Sequence, residues 1–227
     1  MATGFKERRA EQDAAEVSIN IDGLALQGEL IVPENAAGVV IFAHGSGSSR
    51  HSPRNQFVAR TIRNSGNGTL LFDLLTRAEE ATDNLTGQLR FDIALLANRL
   101  VQTAHWLHQK PGMATRNIGF FGSSTGGGAA LVAAAKLGTL VQAVVSRGGR
   151  PDLAADALPK VKCPTLLLVG ELDDVVIRLN EQAFAELRCP KELKIIPNAT
   201  HLFEESGTLE QVAREAARWF QENLSGS

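Results

Sequence analysis

Residues 39–43, Val-Val-Ile-Phe-Ala, form an unbroken apolar run that stops at the small polar segment His44-Gly45-Ser46-Gly47-Ser48-Ser49. So short a run with no polar interruption predicts a strand buried on both faces. Residues 69–73, 117–122, 141–146 and 164–170 read the same way, and 191–196 reads as a last strand ended by Pro197. Upstream, residues 17–22 and 24–32 alternate apolar and polar positions around Asp22-Gly23, the pattern of a β-hairpin. Helical spacing lies between the strands. Ser52-Pro53 supplies an N-cap and an N1 proline for a helix to Asn64. Residues 91–109 repeat apolar positions at Ile93, Leu96, Leu100, Val101, Ala104 and Leu107. Residues 129–138 and 180–187 read as two further helices, the first rich in small apolar residues. Residues 208–223 place Leu209, Val212, Ala216, Trp219 and Phe220 on one side of an amphipathic helix. Residues 123–128 read as a turn, 171–176 as a loop, and the polar stretch 74–90 as a long loop that is either a small lid or a disordered surface loop.

A hairpin followed by strand–helix alternation predicts an α/β fold. Its sheet is mostly parallel, of about eight strands, with an N-terminal antiparallel hairpin and helices on both faces. Neither a repeat nor a linker divides the chain, so residues 16–227 are expected to form one domain after a polar arm over 1–15.

Composition narrows the classes. The chain has 227 residues, 44% of them hydrophobic, which suits a packed core rather than a disordered chain. Lys and Arg number 23 against 25 Asp and Glu, a balance without the basic surplus of a nucleic-acid binder. Two cysteines exclude a disulfide scaffold. No apolar run approaches the roughly 20 residues that span a bilayer, and the charged first sixteen residues lack the apolar stretch of a secretory signal. The expectation is a cytoplasmic protein acting on a small molecule, with no membrane or nucleic-acid partner.

The chemistry centres on Gly122-Ser123-Ser124-Thr125-Gly126, a G-x-S-x-G motif between an apolar strand and an Ala-rich segment. That context is the one a nucleophile elbow requires. A serine at so sharp a strand-to-helix turn holds strained backbone angles, and only the smallest residues two before and two after it avoid collision. The turn lifts the Ser124 hydroxyl above the sheet, near the positive end of a helix. A serine needs a base, and elbow architecture orders the chain as Ser, acid, His. His44 and His51 precede the elbow, His105 and His108 fall on a helix, and His201 alone follows it. Glu171, Asp173 and Asp174 follow the strand 164–170. Asp173 is favoured as the acid that orients the imidazole, with Asp174 in reserve. Two backbone amides should bind an oxyanion, those of Thr125 and of Ser46 in the segment 44–49. That segment lacks both G-x-G-x-x-G and a Walker lysine. Arg147, after strand 141–146, lies at the sheet edge where ligands bind. It reads either as a holder of an anionic substrate group or as half of a structural ion pair. Asp73 reads as a structural hydrogen-bonding residue. Cys163 and Cys189 read as buried thiols without metal-ligand spacing. No cofactor or metal is needed.

The chain resembles the α/β-hydrolase superfamily, and within it the small dienelactone-hydrolase-like proteins, from about Val17 to Leu224. The likeness rests on His44-Gly45-Ser46-Gly47, Phe72-Asp73, Gly122-Ser123-Ser124-Thr125-Gly126-Gly127, Gly170-Glu171-Leu172-Asp173 with Val176, and Ala199-Thr200-His201-Leu202-Phe203. It implies the three-layer α/β-hydrolase fold. It also maps the carboxylate of G-x-x-D-x-x-V onto Asp173. True dienelactone hydrolases use a cysteine nucleophile where this chain has Ser124, which favours an ordinary carboxylic ester over a dienelactone. Similar chains resemble domains fused to phosphoribosyltransferases. The expected activity is that of a serine esterase. A lactone hydrolase, an acyltransferase and a non-catalytic binding module are the alternatives.

Overall fold

The computed structural model describes residues 15–225, so nearly all of the expected polar arm lies outside the described residues. β1 (Ala15–Ile21) and β2 (Leu24–Ile31) form the hairpin, with Ala15 opposite Leu30 and Ile21 opposite Leu24. Asp22 and Gly23 turn it with φ of 46° and 76°, the two positive values that a two-residue hairpin loop demands. The remaining strands are β3 (Gly38–Ala43), β4 (Gly68–Phe72), β5 (Asn117–Ser123), β6 (Val141–Arg147), β7 (Thr165–Gly170) and β8 (Lys191–Ile196). They join in the order β1-β2-β4-β3-β5-β6-β7-β8. β2 is antiparallel to β4, and every pairing from β4 through to β8 is parallel.

The helices are α1 (Pro53–Asn64), α2 (Arg77–Thr86), α3 (Ile93–His108), α4 (Thr125–Leu137), α5 (Asp174–Glu186) and α6 (Thr208–Leu224). Ser52 caps α1, its side chain accepting from the Asn55 amide, with Pro53 in the first turn. Alternate strand residues face opposite ways. Val39 and Ile41 pack with α3 and α4 on one face, while Val40 and Phe42 pack with α1 and α6 on the other. The sheet is therefore covered twice, and β3, β4 and β7 are buried along their whole length.

Three local expectations need correction. Residues 74–90 are not a bare loop. α2 occupies ten of them, started by a reciprocal capping box between Thr76 and Glu79 and ended by Gly87 at φ 67°. The segment 123–128 is a turn only as far as Ser124; α4 begins at Thr125 and takes in the three glycines after it. α5 begins at Asp174 rather than 180, inside the expected loop. Residues Pro151–Lys160 add a kinked 3-10 segment where no element was expected.

Strand order places the site. The chain builds β4 on one side of β3, then crosses to place β5 on the other. The loops that leave β3 and β5 thus diverge at a topological switch point, where a crevice opens beyond the strand ends. Among the described residues, no helix is long and apolar enough to cross a membrane.

Candidate active site

Ser124 sits between β5 and α4 at φ 50° and ψ −121°, a conformation a side-chain-bearing residue adopts only when its surroundings hold it there. They do so from both sides. Its amide donates to the Arg147 carbonyl at 3.2 Å, and its own carbonyl accepts from the amides of Gly127 at 2.9 Å and Arg150 at 3.0 Å. The flanking glycines are sterically required, as expected. A Cβ on Gly122 would lie 2.5 Å from the Gly126 carbonyl oxygen, and one on Gly126 would lie 2.2 Å from that of Ala43.

His201 comes from the loop after β8, and its Nδ1 lies 2.6 Å from Asp173 Oδ2. Asp173 occupies the N-cap position of α5, yet makes no side-chain cap bond; its carboxylate is given to the imidazole instead. Asp174 is exposed in the first turn of α5. The Glu171 carboxylate accepts from the Asn198 amide at 2.8 Å. The loop that bears His201 is fastened on both flanks. The Leu172 amide donates to the Ala199 carbonyl at 2.9 Å. Glu205 accepts from the Thr200 amide at 3.1 Å and from its hydroxyl at 2.5 Å. With Nδ1 bonded to the carboxylate, Nε2 is the free nitrogen of the ring. His201 and Ser124 line one cavity of about 200 Å³.

The two expected oxyanion amides meet at Thr125. Its own amide, in the first turn of α4, has no acceptor within the helix. The Ser46 amide, however, donates to the Thr125 hydroxyl at 3.1 Å, and the two hydroxyls lie 3.0 Å apart. His44 braces this loop. Its Nε2 accepts from the Leu74 amide at 3.1 Å and its Nδ1 donates to the Gly45 carbonyl at 3.1 Å, which defines a neutral ring. Burial pushes its pKa down, against the opposing pull of Gly45, Asp73 and Glu80. Asp73 accepts from the Arg50 amide at 2.9 Å and pairs with the Arg50 guanidinium, the structural role expected of it.

Arg147 lines the Ser124 cavity and is only 7% exposed. Among the described residues it pairs with no carboxylate, and its Nη1 has no hydrogen-bond partner. The ion pair in this segment belongs to Arg150, which holds Asp152 at 2.8 Å. Burial, and then the nearby charge of Arg54, push the Arg147 pKa down to about 10. Sequence reasoning missed Arg54. It lines the same cavity from the start of α1 and pairs with Glu204 at 2.8 Å. Its neighbour Ser52-Pro53 reads as a capping signal, and nothing in the pattern says that the helix start points into a crevice.

Both cysteines are buried and free, and burial pushes the Cys163 thiol up to about 12. Cys163 therefore stays a thiol near neutral pH. No cluster of three or more metal-ligating side chains occurs among the described residues.

The sheet order and the strained serine at the strand-to-helix bend define a fold of the α/β-hydrolase class. Within that class the chain belongs to the dienelactone hydrolase family, whose sequence model matches residues 26–225. It is similar to a solved dienelactone hydrolase from Anabaena variabilis, with 54% identity over 93% of this chain and 99% of that one and a TM-score of 0.91. The Pyrococcus furiosus esterase Pf2001 shares the fold, with a TM-score of 0.77 at 16% identity over 96% of this chain and 95% of its own. Proteins of two Mycobacterium tuberculosis strains, provisionally named phosphoribosyl transferases, are 53% identical over 211 residues, which is 93% of this chain and 47% of theirs. The chain thus spans about half the length of these curated relatives. Family membership supports hydrolase activity.

Proposed function

We propose that this chain is a serine hydrolase of short, soluble carboxylic esters that works through an acyl-enzyme. The observation that supports it best is the 2.6 Å contact of His201 with Asp173, made by a ring that shares a cavity with the strained Ser124. In this reading the Ser124 hydroxyl attacks the acyl carbonyl while His201 Nε2 takes its proton. Asp173 holds the ring in the required tautomer and stabilises the imidazolium. The Thr125 amide donates to the developing oxyanion from one side. The Ser46 amide supplies the second bond by exchanging the Thr125 hydroxyl for the charged oxygen, the stronger acceptor. Each such donor contributes about 3–4 kcal/mol to the transition state. His201 returns the proton to the leaving alcohol, and water then releases the acyl group by the same steps. No cofactor takes part, and we place the reaction in the cytoplasm.

The name borne by the mycobacterial relatives covers proteins about twice as long. The part they share with this chain is the part that matches the hydrolase family, so hydrolysis is the activity proposed here. A dienelactone is the second reading, favoured by the 54% identity to the Anabaena enzyme. The test is turnover of p-nitrophenyl acetate and butyrate, together with labelling by a fluorophosphonate probe. Ser124→Ala should lose both, and undiminished turnover in that variant overturns the assignment. Faster opening of a dienelactone than of either ester would select the second reading.

A further inference from the structure

We propose that the Ser124 cavity holds a subsite for a phosphate monoester group carried by the substrate, built from Arg147, Arg54 and the N-terminal end of α1. The inference rests on the hydrolase reading of Ser124 and deepens it by naming a substrate class.

Four observations converge. Arg147 is buried at the end of β6, lines the cavity, and has an Nη1 without a partner. A buried guanidinium with an unused donor costs free energy that a bound anion returns. Its packing over Phe203, with the guanidinium carbon 6.0 Å from the ring centroid, fills one face and leaves that donor unmet. Second, Arg54 enters the same cavity, and its Nε is also buried without a partner. Third, Ser52, Arg54 and Asn55 bring the start of α1 to the cavity wall. Twelve residues of helix direct their positive end there. Fourth, among the described residues no Asp or Glu lines the cavity. Glu204, the acid paired with Arg54, stands at the surface with its side chain 62% exposed.

These features select among anions. One guanidinium satisfies a planar carboxylate through two parallel bonds. Here two guanidinium groups line one cavity, and burial first, then the charge of Arg54, push the Arg147 pKa down. The donors also come from a strand end and a helix start rather than from one plane. A tetrahedral dianion offers three terminal oxygens and two charges, which suits that arrangement. Its seat beside Ser124 places the phosphate within the same small molecule as the scissile ester.

The test begins with calorimetry on full-length Ser124→Ala protein, so that binding is read without turnover. Inorganic phosphate should bind and acetate should bind at least about tenfold more weakly. Adding Arg54→Gln should weaken phosphate binding about tenfold or more, and Glu204→Gln should tighten it by freeing Arg54. Arg147→Met should abolish it; if that variant does not fold, the half-exposed Arg54 carries the test. In the wild-type enzyme, the acetyl ester of glycerol 3-phosphate should show a lower KM than glycerol monoacetate, and Arg54→Gln should erase the difference. That kinetic arm separates a substrate phosphate from a site for free phosphate. Absence of phosphate binding, equal binding in Arg54→Gln, acetate binding as tightly as phosphate, or equal KM values for the two esters overturns the proposal. Fluorophosphonate labelling of wild-type Ser124 separates the two claims. Labelling without phosphate binding removes the subsite and leaves the hydrolase. Arg54-dependent phosphate binding without labelling sustains the subsite and removes the hydrolase.

Discussion

Asp173 stands where a side chain ordinarily caps its own helix, and its carboxylate is spent on His201 instead. If it holds the imidazole tautomer, Asp173→Asn should lower kcat for p-nitrophenyl acetate by about four orders of magnitude, with KM little changed. Asp174→Asn, one residue on and exposed, should stay within about twofold; equal losses in the two variants would reject the assignment. The G-x-S-x-G context made Ser124 legible and chain order singled out His201. Order left Asp173 and Asp174 both open as the acid, with Asp173 favoured through the G-x-x-D-x-x-V resemblance; it is the Asp173 carboxylate that meets the ring. The engagement of the Ser46 amide by Thr125 was not legible, since it depends on one hydroxyl rotamer. His44 makes a separate prediction. Folded, its Nε2 accepts from Leu74 and burial lowers its pKa below the ordinary 6.5. Between that lowered value and 6.5 the unfolded chain binds a proton that the folded one refuses. The stability is therefore complete above pH 6.5 and is lost as pH falls below it, by at most about 1.4 kcal/mol per pH unit. Urea midpoints at pH 7.5 and 5.5 should differ less in His44→Gln, which keeps a neutral acceptor; identical slopes would show that His44 is not the group responsible.

Among the α-helices, α2 was the one hidden from the sequence, and the reason is physical. Its apolar positions, Ala78, Ala81 and Leu85, are few and all exposed, and its one buried residue is Asp83, so no large apolar stripe turned to the core announces it. The signal that could have revealed it is the T-x-x-E of its capping box, Thr76 with Glu79. Asp83 then organises the chain beyond the helix, accepting from the Leu89 amide at 2.7 Å and pairing with Arg90 Nε at 2.6 Å. The start of α4 was misplaced for the opposite reason. Gly126, Gly127 and Gly128 have poor helix propensity, yet a Cβ at any of them would lie within 2.7 Å of a neighbouring atom, so close packing overrides propensity. The strap formed by α2 should be a local unit. Thr76→Ala removes its cap at a cost of about 1 kcal/mol. Combined with Asp83→Ala it should speed amide exchange across 77–91 and tryptic cleavage after Arg90, while the global urea midpoint moves little. Matching shifts in the global midpoint would show that α2 unfolds only with the whole domain.

At the scale of the whole molecule, both halves of the candidate site hang on one sheet, and that sheet is closed on one face by α1 and α6. Ser124 and Arg147 come from the ends of β5 and β6, while Asp173 and His201 follow β7 and β8. Their spacing therefore depends on four strands staying in register. Phe220 of α6 is fully buried on this face. Its ring lies so close to β5 that a Cβ on Gly119 would stand 2.7 Å away, which explains a glycine in the middle of a buried strand. Phe220→Ala empties that contact. Helix α6 stays packed on the sheet through Val212, Ala216, Trp219 and Leu224, with Lys194–Glu215 at 2.6 Å and Arg218–Glu192 at 3.2 Å at its outer edge, so the cavity is not refilled by the helix swinging in. The expected cost is about 3–5 kcal/mol, or a fall in Tm on the order of 10 °C for a domain of this size. Because the register of β5 to β8 survives below that lower Tm, Ser124 labelling by the fluorophosphonate at about 20 °C, well inside the folded range of an ordinary domain, should proceed at close to the wild-type rate. A large loss of labelling in a variant that is still folded would mean that α6 tunes the site directly rather than through the stability of the sheet.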